Sequence, residues 1–498
     1  MTTRGHTGSA ERAPRVALAL VLTLLLAGCA QHARVICDPL EKASSRDFAA
    51  AVQSIDETRL ADSDRDRFLY HTQRAHLLHL AGDYEASNRE FELAVRIGDE
   101  LEPTSVTATL ADYTINEAVK AYPGEDYERA YLHYYMALNY LALDNPESAL
   151  VECRRLDLTF RELEARYGTP EERFQDDGFI RYLSGLIYES TGRLNDAFVD
   201  YKAAVRAYVA DPSGKQRVPD GLQMSLTLAG GRLGLDDQVK ALLEEANAAT
   251  PESGGVPPEP SEIVVVIDAG WAPYKREVSV EVPVYRPLVP DEFKGEDWLA
   301  ALIKIAYPEF LSVPLSARGF EVRAERIPPD TTGAKVRGRA TVAWDAPPTG
   351  TAVASAEPVR DLDALARATL ERRAVALKLR STMRATAKQI VLMKQKADHA
   401  KDDRDRTIGA RILRSILERT ATILTAESEQ ADTRSWITLP REIWLARISV
   451  TPGSYQVTVR VDGGVPLTIG TVRVGARETV FRPVRVFCGP HPVRCDTD

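Results

Sequence analysis

The chain has 498 residues, of which 44% are hydrophobic and 27% charged, and a formal net charge of −9. That length predicts two to four domains, and the composition is that of an ordinary globular protein rather than a disordered or fibrous one. The negative balance argues against general nucleic-acid binding, which needs Lys and Arg to neutralise phosphates.

At the N-terminus, Arg4, Arg12 and Arg15 outweigh Glu11, and an apolar run extends from Val16 to Leu26. The run is too short to span a bilayer, which takes about 20 apolar residues. A basic start, a short apolar stretch and a small-residue end predict a secretory signal peptide over 1–28. Its end, Leu26-Ala27-Gly28-Cys29, resembles the lipobox of bacterial lipoprotein precursors. The resemblance implies that Cys29 becomes the first mature residue, with a diacylglyceryl group on its thiol and an acyl chain, such as palmitate, on its amine. Each buried methylene strengthens membrane association by about 0.8 kcal/mol, so several chains make a durable anchor. Position 30 is alanine rather than aspartate, which by resemblance to the lipoprotein sorting rule implies the outer membrane, facing the periplasm. Residues 29–45 read as a lipidated linker. Without 1–28 the net charge becomes about −11.

Residues 46–250 read as helical and weakly repetitive. Ala75, Leu78 and Gly82-Asp83-Tyr84 lead to Ser87, Phe91 and Ala94; Ala137, Tyr140 and Asp144-Asn145 lead to Ala149, Cys153 and Leu156; Gly185, Tyr188 and Gly192 lead to Ala197, Tyr201 and Ala204. A worn fourth copy lies in Gly221 to Ala246. These copies resemble tetratricopeptide repeats, helix–turn–helix units of about 34 residues. The small residue lets two helices approach, and the aromatic fills the gap between them. Ala149 and Ala197 are 48 apart, and Ser87 and Ala149 are 62 apart. Extra helices therefore interrupt the array, one near Thr104 to Tyr122, giving an irregular α-solenoid. In the repeat family the first helix of each unit lines a concave groove. Mapped here, that wall contains Leu69, His76, His79, Tyr131, Tyr134, Leu138, Leu141, Phe179, Tyr182, Leu186 and Glu189. It suits a helix or extended peptide, unless another part of the chain fills it. His76 and His79 lack a third ligand type nearby, so a metal site is not expected.

A Pro/Gly-rich linker, 251–262, precedes a change to strand patterning. Glu262 to Ile267 is a continuous apolar run, as in a strand buried on both faces. Val278–Tyr285, Phe320–Ile327, Val336–Trp344, Ile443–Val450, Tyr455–Val461, Leu467–Val474 and Thr479–Phe487 are further strand candidates. Pro452-Gly453, Gly463-Gly464 and Gly475 mark turns. The expectation is an α+β multidomain chain: a β-sandwich-like domain over 263–348 and 440–487, split by a helical insertion over 349–439. In the insertion, Leu377, Met383, Ile390 and Met393 share one helical face, as do Ile412, Ile416 and Ile423. Its loop falls near Asp398 to Thr407, and a tail follows over 488–498.

Six segments resemble a family of uncharacterised bacterial lipoproteins with a tetratricopeptide-like region and a C-terminal domain. They are Gly124–Glu128, Tyr134–Tyr140, Ala149–Arg155, Gly270–Lys275, Lys304–Pro308 and Glu429–Pro440. The resemblance covers most of the mature chain and implies architecture and location, not an activity. Its setting, beside genes for activators of cell-wall synthases, suggests a cell-wall synthesis component as partner; secretion components are a second choice. Read physically, Asp432 and Arg434 either lock the insertion onto the β domain with Trp436 packed beneath, or form a polar junction pocket with Lys275, Trp271 and Trp436.

Five cysteines occur. Cys488 and Cys495, separated by six residues, could close a small disulfide loop in an oxidising compartment. Cys153 reads as a buried thiol. No pair has C-x-x-C spacing, and the usual nucleophile, zinc-protease and phosphate-loop motifs are missing. No cofactor and no catalysis are expected. The expected function is a periplasmic, outer-membrane-anchored adaptor that binds envelope proteins through the repeat groove. The alternative is a glycan- or lipid-binding lipoprotein that uses the junction pocket.

Overall fold

A computed structural model describes residues 35–101, 120–167, 177–211, 217–248, 261–283, 302–327, 350–383 and 431–489, except 372, 373, 375, 376, 380 and 463. The signal peptide, Cys29, most of the helix expected near 104–122, the strand candidate 336–344, most of the inserted hairpin and Cys495 lie outside the described residues. The chain is mixed α and β, with helices first and sheets after.

The helices come in pairs. They are α1 Cys37–Ser44 with α2 Phe48–Asp56, α3 Arg67–Ala81 with α4 Tyr84–Glu100, α5 Asp126–Ala142 with α6 Pro146–Tyr167, α7 Gly178–Ser190 with α8 Leu194–Val209, and α9 Asp220–Leu233 with α10 Asp236–Glu245. The first pair begins inside the stretch expected as a linker, because Ile36, Leu40, Ala43, Ala51 and Ile55 bury a small core together with Leu77, Trp271, Val313 and Ile437. The turn between α3 and α4 shows how sequence sets the reversals. Gly82 ends α3 in the left-handed region (φ 84°), which costs glycine nothing. Asp83 then caps α4 by accepting from the Ala86 N–H at 3.1 Å, satisfying one of the orphan amides of the first turn.

Among the described residues, ten strands form three sheets: β1 Ser261–Ala269, β2 Tyr274–Pro283, β3 Leu302–Leu311, β4 Phe320–Ile327, β5 Thr351–Ser355, β6 Glu357–Asp361, β7 Glu442–Val450, β8 Gly453–Val461, β9 Leu467–Val474 and β10 Thr479–Val486. One sheet runs β10-β1-β7-β6, a second runs β5-β4-β8-β9, and β2 pairs with β3 alone. β1 is parallel to β10 and antiparallel to β7. β5 and β6 occupy the start of the span expected to be helical insertion; helix begins only at 362.

Every residue of β1 is buried. Ile263, Val265 and Ile267 face the second sheet, against Val322, Val457 and Val459. Val264 and Val266 face the other way and share one apolar core with the helices. Period-two alternation thus places the first sheet between the second sheet and the helical pairs. Each fully buried Val or Ile contributes about 1.5–3 kcal/mol relative to exposure.

The close approach of α7 and α8 depends on Gly185: a Cβ there would lie 2.4 Å from Cε1 of Tyr201. Gly185→Ala should therefore destabilise the protein by about 1–3 kcal/mol, as overpacked cores do. Thermal unfolding followed by circular dichroism checks this; an unchanged midpoint would contradict the packing.

Candidate functional site

The wall expected to be an open groove is filled. Leu69, Tyr131, Tyr134, Leu138, Leu141, Phe179, Tyr182 and Leu186 are all buried, none more than 8% exposed. The filler is the chain's own first sheet, so these residues form no free partner groove. Tyr134 and Tyr135 donate their hydroxyls to Asp268 of β1, at 2.9 and 2.7 Å. Farther along, Tyr208 donates to the Val359 carbonyl of β6 at 2.6 Å. Arg360 pairs with Asp177, the N-cap of α7, at 3.0 Å. Glu357 accepts from the first amides of α9, Asp220 and Gly221, at 2.7 and 2.8 Å. There a carboxylate meets the positive end of the helix dipole.

Arg447 of β7 completes this seam. It holds Glu262 of β1 through two bonds, 2.7 and 2.8 Å, and donates to Ser225 of α9. A fork-on-carboxylate pair of this kind fixes orientation as well as charge.

A dense polar node joins the start of α5 to the irregular segment 431–436. Glu125 and Glu128 form a capping box at the head of α5. Glu128 is fully buried and accepts from the Trp436 backbone N–H at 2.7 Å, the Tyr122 hydroxyl at 2.8 Å and the Glu125 N–H at 3.0 Å. Lys275 donates to Glu125 and lies 5.4 Å from the Tyr122 ring. Arg434 sits over the same ring at 5.0 Å. It pairs with Asp432 at 2.7 Å and Asp66 at 3.0 Å, and donates to the Lys120 carbonyl at 3.0 Å. Beneath, Trp436 packs on Phe91, Tyr135 and His76.

Of the five residues expected around a junction pocket, Lys275, Asp432, Arg434 and Trp436 do converge. Among the described residues they meet the N-terminal helical half, through Glu125, Glu128, Asp66 and the Arg65 and Lys120 carbonyls. Trp271 sits elsewhere, stacked on Phe487 at 4.7 Å. Two concavities of the described residues lie away from the node. One of about 350 Å³ opens beside Asp38, Ser54 and Glu57. Another of about 120 Å³ lies among Arg46, His79, Tyr84, Asp268 and Arg485.

His76 and His79 are core residues. His76 hydrogen-bonds Thr438 at 2.9 Å, and His79 hydrogen-bonds Asn139 at 2.6 Å. Burial holds His76 well below the usual histidine range and pushes His79 down to about 4, so both are neutral. Among the described residues no cluster of His, Cys, Asp and Glu could hold a metal ion.

The expected Cys488–Cys495 loop is not formed, because Cys488 is a buried free thiol. Alternation at the end of β10 turns Cys488 into the core between the sheets and Phe487 toward α1 and α2. Cys153 is a buried thiol as expected, with burial pushing it up to about 12. The sequence reading missed Glu128, Asp268, Glu357 and Arg447. Two signals were present: the Glu-x-x-Glu spacing of a capping box, and an aspartate closing an otherwise apolar strand.

Compared with known proteins, the sequence matches no family model and no curated protein. Solved structures similar to part of it include the crystal structure of MamA, at 16% identity over 42% of this chain and 91% of that chain, with a TM-score of 0.26. A second structure titled as MamA protein has 15% identity over 43% of this chain and 87% of that one, TM-score 0.26. BtubC (BKLC) from P. vanneervenii has 16% identity over 42% and 74%, TM-score 0.27.

Burial raises the Glu128 carboxyl to about 7; Glu125 adds to the shift, and Lys275 with the backbone donors opposes it. Its folded value lies above the unfolded one, so the folded state binds the extra proton. Its contribution to stability is present at low pH and is lost as pH rises from about 4.5 through 7. The buried histidines act in the opposite sense below their unfolded value of about 6.5. The test is therefore the difference between wild type and Glu128→Gln in denaturant unfolding. It should shift against wild type across this window; a constant difference would refute the assignment.

Proposed function

We propose that the protein is an adaptor of the bacterial cell envelope. Lipid on Cys29 holds it to the outer membrane, facing the periplasm, and the outer faces of its helical pairs bind protein partners. The lipobox-like Leu26 to Cys29 supports the anchor, and no helix among the described residues is long and apolar enough to cross a membrane. The observation that carries the adaptor reading is the distribution of apolar surface. The inner faces of the helices are consumed by the first sheet. On the outer side Val151 and Leu158 of α6, Val199 and Val209 of α8 and Met224 of α9 stay 40–58% exposed. Val151 and Leu158, seven apart, lie on one stripe of α6, flanked by Arg154 and Arg155. An apolar stripe rimmed by charge is the surface pattern of a protein contact.

In this reading the locked β half acts as a strut. It holds the helical pairs in fixed relative orientation, so their outer faces form one surface in place of the solenoid groove that the repeats imply. A cell-wall synthesis component remains the first candidate partner.

Val151→Asp with Leu158→Asp should reduce partner recovery from solubilised envelopes roughly tenfold or more, the effect of losing about 1.4 kcal/mol, with circular dichroism unchanged. Undiminished recovery by the folded variant would refute the outer-face assignment. Tyr134→Ala with Tyr182→Ala should instead lower the melting temperature, since both rings fill the core. Cys29→Ala should move the protein from the membrane to the soluble fraction; retention in the membrane would refute the anchor.

A further inference from the structure

The smaller concavity, of about 120 Å³, lies where the helical and β halves meet. It exceeds the room that one water needs and falls below the roughly 300–1,000 Å³ of sites for drug-sized ligands. A group of a few heavy atoms fits; a peptide does not. Exposed Arg46 and Thr468 mark its open side, and buried His79, Asp268 and Arg485 its inner side.

The charges of this lining do not balance. Strand register sets Asp268 of β1 beside Arg485 of β10. Asp268 accepts from the Tyr134 and Tyr135 hydroxyls, and among the described residues it forms no ion pair with Arg485. Arg485 is 3% exposed. Its Nη2 donates to the Leu439 carbonyl at 3.2 Å, and its guanidinium lies near the Phe487 and Trp271 rings, at 4.9 and 5.5 Å. Its Nε and Nη1 have no hydrogen-bond partner among the described residues. The buried arginines that join the halves elsewhere differ: Arg360, Arg434 and Arg447 each hold a carboxylate, at 3.0, 2.7 and 2.7 Å. A guanidinium stays charged at physiological pH, and a buried cation without a counterion is costly. Arg46 adds a second positive charge. His79 is neutral, so two cations line the cavity against one carboxylate.

Arg46 carries a sign of its own. It follows α1 in the left-handed region, at φ 64°. Its amide bonds the Ala43 carbonyl and the Asp47 amide bonds the Lys42 carbonyl, both at 2.9 Å, which is the Schellman ending of a helix. After α3, α7 and α9 the left-handed residue is Gly82, Gly192 or Gly234. Glycine adopts that conformation freely, and a residue with a Cβ does not. The first pair therefore keeps a strained arginine where glycine would serve. Its Nη1 donates to the Arg485 carbonyl at 3.0 Å, which sets the two arginines side by side at the cavity.

We infer that this cavity binds a small carboxylate through Arg46 and Arg485. Carboxylate oxygens are natural acceptors for guanidinium donors. One negative charge brings the lining to neutrality, and Asp268 opposes a second, so a monoanion suits the site better than a dianion. The bound group would tie the turn between α1 and α2 to β10.

The test is calorimetric titration of the full-length protein with acetate at neutral pH, with chloride holding the ionic strength constant. The expected result is one site per chain, weakened about tenfold or more in Arg46→Gly and in Arg485→Met, each checked by circular dichroism. Arg46→Gly suits the left-handed turn and decides the question alone should Arg485→Met fail to fold. Wild type should also gain thermal stability with acetate, because binding favours the folded state, and Arg46→Gly should lose that gain. Inorganic phosphate, largely a dianion under these conditions, should bind more weakly than acetate. Tighter binding of phosphate would overturn the choice of carboxylate. No acetate binding up to about 10 mM, or equal binding by wild type and Arg46→Gly, the mark of an adventitious ion only, would overturn the site.

Discussion

β1 has no solvent face, and that constraint organises everything around it. A central strand buried on both sides must be covered twice. The second sheet covers Ile263, Val265 and Ile267, and the helical pairs cover Val264 and Val266. The helix-facing side of the first sheet is not wholly apolar. It carries Asp268, Arg447 and Glu357, and a buried ion without a partner costs several kcal/mol. The helices therefore cannot simply lie on the sheet. They must supply two tyrosine hydroxyls for Asp268, Ser225 for Arg447 and a helix start for Glu357. Apolar area drives the contact, and these polar matches fix its register.

The same logic explains the node at the head of α5. The segments Gly124–Glu128, Gly270–Lys275 and Ala431–Trp436 are far apart in sequence. They meet through the Lys275–Glu125 ion pair and the bond from the Trp436 amide to Glu128. Phe310, just past Lys304–Pro308, adds its ring against Tyr127 and under Lys275. Three of the six segments singled out in the sequence thus gather around one contact between the halves. Their chemistry is that of a clasp: buried carboxylates met by amides, hydroxyls and one lysine. The two halves thus share one apolar core as well as this clasp, and in the function proposed above the outer helical faces are the working surface.

Some of this was legible in the sequence. The unbroken run Glu262–Ile267 announced a strand buried on both faces, and Gly82-Asp83 announced a turn. The small residues Ala75, Ala137 and Gly185 announced close helix pairs. Whether the aromatic wall was open or filled was not legible, because Tyr131, Tyr134 and Tyr182 suit a peptide and a sheet equally well. β5 and β6 are five residues each, too short for alternation to show. β3 carries Pro308, which reads against a strand until one sees that, among the described residues, β3 pairs with β2 alone, and an edge position tolerates proline. Cys488 was misplaced for a reason the sequence did contain. Extending the alternation of Thr479–Phe487 by one residue turns its thiol away from the tail.

The central claim is that helical and β halves share one core and unfold together. All five tryptophans (Trp271, Trp298, Trp344, Trp436 and Trp444) belong to the second half, whereas the paired helices dominate the circular dichroism signal at 222 nm. Urea unfolding of the full chain should be followed by both signals on the same samples. The account predicts coincident transitions with one midpoint. A helical transition separated from the tryptophan transition would contradict it and return the groove to an open surface.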